Sequence, residues 1–148
     1  MKKSLVVVSL LLVGGAVAVA GTINVPFYLD NGSHTSATGI PPTGNATWIC
    51  LKNPIPSSAT EATIRYFDND GTERTPSTNT FTLNAGAALS WRPVATDTNE
   101  GSGAAVPNKD GGKSAGTAII TYAGTDLVTG RVLSTSTSVS YGYTIFSD

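Results

Sequence analysis

The chain has 148 residues, of which 9 are basic and 10 acidic, giving a net charge of −1, and it contains a single cysteine. The length suits one domain with a real core, and so few basic residues, none of them clustered, exclude an electrostatic nucleic-acid surface. A composition rich in Thr, Ser and Gly and poor in Lys and Glu disfavours long helices, and one cysteine excludes an internal disulfide.

The first twenty residues, MKKSLVVVSLLLVGGAVAVA, are laid out as a secretory signal peptide. Lys2 and Lys3 are followed by an apolar run from Leu5, broken only by Ser9, and Ala18-Val19-Ala20 forms a small-residue cleavage box before Gly21. The run is shorter than the roughly 20 residues that span a bilayer, and no lipid-anchoring cysteine lies near it. The expectation is export, cleavage after Ala20, one domain over residues 21–148 and no membrane span afterwards. Such a protein is secreted, periplasmic or on the cell surface.

Beyond residue 20 no helical period persists. Short alternating apolar runs recur instead, separated by turn chemistry. TINVPFYL (22–29) reads as a first strand, with Pro26 confining it to an edge or a bulge. ATWICLKN (46–53) reads as a second, with Ile49 and Leu51 on one face and Trp48 and Cys50 on the other. EATIRYFD (61–68) turns Ala62, Ile64 and Tyr66 to one side. NTFTLNAG (79–86) and AALSWRP (87–93) pair Phe81 with Leu83 and Leu89 with Trp91. GTAIITYAG (116–124), DLVTGRVLS (126–134) and SVSYGYTIF (138–146) close the chain. DNDG (68–71), NAGA (84–87) and AGTD (123–126) are turn sequences whose glycines accept positive φ. The fold class this predicts is all-β: a single antiparallel β-sandwich of about eight strands, jelly-roll or immunoglobulin-like. Two long connections, 31–45 and 94–115, have no period and are of the kind that binds a ligand or stays disordered.

The order of the segments TWICLKNPIPSSATEATIRYFDNDG, FTLNAGAALSWRP and AGTAIITYAGTDLVTGRVLS resembles that of the small β-sandwich proteins related to the sensory rhodopsin transducer, over about residues 46–134. The resemblance implies a sandwich fold and a tendency to assemble and to act through partners. The export signal departs from those cytoplasmic transducers, so rhodopsin signalling does not follow from it.

Few groups invite chemistry. Cys50 has no neighbouring cation or histidine to activate it and reads as a small buried hydrophobe, with pairing between chains as the alternative. His34 is the one histidine, in a Gly- and Ser-flanked loop without a nucleophile elbow, and reads as an exposed loop residue. Asp68, Asp70 and Glu73 in DNDGTE suggest a calcium loop, but the twelve-residue spacing is incomplete and a hairpin turn explains them better. GGKS (111–114) resembles a phosphate loop, yet its first required glycine is Pro107. NGS (31–33) and NAT (45–47) are glycosylation sequons at Asn31 and Asn45.

The aromatic residues carry more weight. Trp91 and Tyr66 read as core. Phe67 must face away from Tyr66. With Tyr143 and Trp48 it is a candidate for a ligand surface or a subunit interface. The sequence therefore predicts a non-enzymatic, self-associating surface or extracellular protein without a cofactor, whose partners are its own copies or other surface proteins. The N-terminal strand 22–29 is the candidate for pairing across copies. The alternative is a module binding carbohydrate or another small ligand through surface rings and the 94–115 loop.

Overall fold

A computed structural model describes residues 20–32, 41–95, 106–124, 129–136 and 139–145, with the backbone alone described over 129–134. The strands are β1 (Ala20–Leu29), β2 (Ala46–Lys52), β3 (Thr60–Asp68), β4 (Thr80–Leu83), β5 (Ala88–Trp91), β6 (Ala115–Ala123), β7 (Thr129–Thr135) and β8 (Ser140–Ile145). They form two antiparallel four-stranded sheets in the orders β1-β6-β3-β4 and β5-β2-β7-β8.

One apolar cluster takes side chains from both sheets, which gives the chain a β-sandwich-like build. The alternation of the sequence fixes which side chains enter it. Ala62, Ile64 and Tyr66 of β3 are buried, as are Ile49 and Leu51 of β2, Phe81 and Leu83 of β4, and Leu89 and Trp91 of β5. Each fully buried Ile or Leu contributes about 1.5–3 kcal/mol relative to exposure. A hydrogen-bond chain runs through the apolar centre: Trp91 Nε1 donates to the Tyr66 hydroxyl at 2.9 Å, and that hydroxyl donates to the Pro107 carbonyl at 2.9 Å. The two ring systems thereby bury their polar atoms with partners.

The strand order is neither immunoglobulin-like nor that of a jelly roll, the two arrangements the sequence suggested. β1 pairs with β6, not with β2 or with the last strand. The reason lies in the connections, of which only β3–β4 and β7–β8 join neighbours within a sheet while the rest cross between sheets. Asn53, which precedes Pro54, anchors one crossing. It is fully buried, and its Nδ2 donates to the carbonyls of Ser58, Leu83 and Asn84 while its Oδ1 accepts from the Ile55 amide. A buried amide satisfied on both sides holds the end of β2 against the β4–β5 turn.

β1 carries a one-residue bulge. Val25 pairs with Ala118 and Tyr28 with Gly116, so three steps along β1 match two along β6. Pro26, which cannot donate a ladder hydrogen bond, lies inside the bulge on an edge strand. The extra residue reverses the facing of everything after it. Tyr28 and Asp30 turn inward, and Phe27 is left on the surface.

Candidate functional site

The acidic turn that suggested calcium is occupied by the protein's own cations. Asp68 Oδ1 accepts from Lys109 Nζ at 2.5 Å and from the Lys113 amide at 3.1 Å, and Oδ2 accepts from Arg74 Nε at 3.0 Å. Asp70 pairs with Lys113 at 2.5 Å. Glu73 receives the Arg65 guanidinium on both oxygens, at 3.0 and 2.8 Å. The three carboxylates diverge to separate cations, in four ion pairs, and among the described residues no group of acids, His or Cys is placed to hold a metal ion. Their pKa values reflect this: Lys109, with Arg74, holds Asp68 below the ordinary range, Lys113 does so for Asp70, and Arg65, with Thr75, lowers Glu73 to about 2. The GGKS stretch has a local use. Gly111 and Gly112 take positive φ, at 48° and 74°, and so bring the Lys113 amide onto the Asp68 carboxylate.

A second buried pair lies at the end of β1. Arg92 is 1% exposed, and its Nε donates to Asp30 Oδ1 at 2.9 Å while its terminal nitrogen reaches Asp30 and the Gly32 carbonyl. Asp30 Oδ2 accepts from the Val94 amide at 3.1 Å. The Tyr28 ring packs edge-on against Tyr66, and its hydroxyl is buried without a hydrogen-bond partner among the described residues. Burial, with Asp68 and Asp30 nearby, pushes that phenol well above its usual range.

Part of the long 94–115 connection is ordered into this polar layer. Val106 and Lys109 are buried, the Lys109 amide donates to the Pro93 carbonyl, and Asn108 donates to the Arg92 carbonyl. Residues 96–105 lie outside the described residues, as do 33–40, which include His34, and 1–19 of the expected leader. Asn31 is exposed, and its side-chain carbonyl accepts from the Asn45 amide at 2.8 Å.

The remaining sequence candidates separate. Cys50 is not in the core. It is half-buried on the outer face of β2, with its Sγ 3.3 Å from Ser90 Oγ, because Ile49 and Leu51 take the inward positions. Trp48, also on that outer face, is half-buried with the Arg92 guanidinium 5.9 Å from its ring. Phe67 is half-buried on the outer face of β3, under Arg65 at 5.0 Å. Tyr143 reaches across from β8 to β1, where its hydroxyl donates to the Phe27 carbonyl and also lies 3.4 Å from the Phe27 amide. The structure does not bring these three rings together.

What it does assemble is a flank at which both sheets end. β1 is an edge strand of one sheet and β8 an edge strand of the other, and the two are in contact. Neither strand contains a charged residue. The large apolar side chains left exposed among the described residues are Phe27 at 44%, Val139 at 62% and Tyr141 at 46%, all on these strands or in the turn before β8. Tyr141 shares the inward facing of Tyr143 and the buried Ile145, but it stands at the uncovered start of β8. Reading from the sequence missed Phe27 because the bulge reverses its facing. Pro26 was the available signal.

No protein-family model matches the chain, and no curated protein matches it. Among solved structures the crystal structure of Thermotoga maritima 1070 is similar to it, with a TM-score of 0.48 and 11% identity, over 86% of this chain and 92% of that one.

Proposed function

We propose that this is an exported, non-catalytic β-sandwich protein that acts as a structural and interaction component outside the cytoplasm, associating with its own copies through sheet edges. The observation that supports it most is the β1–β8 flank. There two uncharged edge strands lie side by side with Phe27, Val139 and Tyr141 exposed around them. Proteins that stay monomeric commonly blunt such edges with charge, and exposed apolar clusters mark contact surfaces. The interior charges fit a scaffold, since Arg92 and Lys109 are engaged with Asp30 and Asp68 inside the fold.

Sedimentation velocity over a concentration series, on protein delivered by an exporting host, tests the reading. Self-association is expected, with the N-terminal residue at Gly21. A particle that stays monomeric up to its solubility limit would overturn it.

A further inference from the structure

Each sheet has two edges, and four strands occupy them: β1, β4, β5 and β8. Three are guarded. β1 has the Pro26 bulge, and its outward backbone groups near the end are already taken. Thr47 Oγ1 accepts from the Leu29 amide at 3.1 Å and donates to the Leu29 carbonyl at 2.6 Å, while the Tyr143 hydroxyl serves Phe27. A strand from another molecule would have to displace those side chains, so residues 27–29 are closed to the pairing the sequence suggested for 22–29. β4 and β5 are four residues each, and β5 runs directly into the buried Arg92 and Pro93.

β8 has no such defence. It is six residues, SYGYTI, without charge or proline, and it pairs with β7 at every position without a bulge. Among the described residues no backbone hydrogen bond reaches its outer edge. An open edge, unlike an apolar face, specifies the chemistry of its occupant: extended backbone presenting amides and carbonyls at the strand spacing.

We infer that β8 is the self-association edge, and that its occupant is the β8 strand of a second copy, antiparallel about a two-fold axis. This rests on the self-association reading and names the strand responsible. An antiparallel edge is complementary to itself, so one surface serves both partners in a closed dimer. The absence of charge from β8 lets two copies meet without repulsion. The same contact covers Tyr141 and Val139 of both copies and fuses two four-stranded sheets into one. Isolated strands of foreign origin gain the same hydrogen bonds but pay the ordering entropy that a folded copy has already lost.

The test is Thr144→Lys, at an exposed position of β8, compared with Thr82→Lys, at an exposed position of the opposite edge strand β4. The two-fold doubles each added charge at the contact, so the dimer of Thr144→Lys weakens about ten-fold or more while Thr82→Lys leaves it unchanged. Position 144 pairs with Arg131 on β7 and position 82 with Glu61 on β3, so the melting point of the separated subunits falls somewhat in Thr144→Lys and not in Thr82→Lys, and dimer dissociation is read at a temperature where both subunits are folded. A dimer equally stable in Thr144→Lys, or equally weakened by both changes, overturns the β8 assignment while leaving self-association in place. A wild-type monomer overturns both.

Discussion

Arg92→Met removes a cation from a place where water cannot replace it. Arg92 and Asp30 have side chains 1% and 0% exposed, and the guanidinium donates to both the carboxylate and the Gly32 carbonyl. Methionine keeps much of the volume but leaves the carboxylate with the Val94 amide and without its cation. Removing one member of a buried pair costs about 3–5 kcal/mol, against about 1 kcal/mol or less for a surface pair. In a chain of this length that lowers the melting temperature by roughly 10 °C. Urea unfolding followed by tryptophan fluorescence reads it, since Trp91 is buried. The double variant Asp30→Asn, Arg92→Met replaces the charge with an amide that still accepts from Val94. It is therefore expected to recover about 1–2 kcal/mol relative to Arg92→Met alone. A cost below about 1 kcal/mol for the single variant, or full additivity in the double, would refute the account of this pair as a charge kept in place by its partner.

Two further outcomes follow from the same geometry. Asp68, Asp70 and Glu73 are held below their ordinary values of 3.8 and 4.5, so the folded chain binds fewer protons than the unfolded chain at acid pH. Their contribution is complete above the ordinary carboxylate values and is lost as pH falls towards 2, so the urea midpoint should drop steadily on acidification below about pH 4.5. A midpoint that is flat or rises over that range contradicts the ion-pair assignment. Gly116 sits between Tyr28 and Asp68 in the sheet, and a Cβ there would lie 2.1 Å from the Phe67 carbonyl oxygen and 2.8 Å from the Tyr28 hydroxyl. Gly116→Ala is expected to destabilise by about 1–3 kcal/mol through forced backbone movement, and a thermal melt unchanged by the substitution would contradict the packing described.

The alternation of small apolar runs made much of the fold legible. Ala62, Ile64 and Tyr66, Ile49 and Leu51, and Leu89 and Trp91 all face inward as their period demands. Pro26 announced an edge strand or a bulge, and both are present. What local pattern could not carry is long-range. Pairing of β1 with β6 joins residues about a hundred positions apart, and the crossing of connections between sheets has no local signature. Lys109 lies in a stretch without any period, and only the fold brings it to Asp68. Cys50 was placed on the correct face of its strand, but that face is the outer one. Phe27 was hidden by a single residue, since one insertion exchanges inside for outside along the rest of the strand. The uncharged character of β8 was open to inspection, whereas its position at an edge was not.

Amide hydrogen exchange at two protein concentrations, one well below and one well above the onset of association, tests the central claim most directly, because it reports which backbone groups a second copy covers. The account predicts slower exchange at the higher concentration within Ser140–Ile145, and no change at Thr80–Leu83, Ala88–Trp91 or Phe27–Leu29. Exchange in β8 that is independent of concentration while the particle is an oligomer would contradict it.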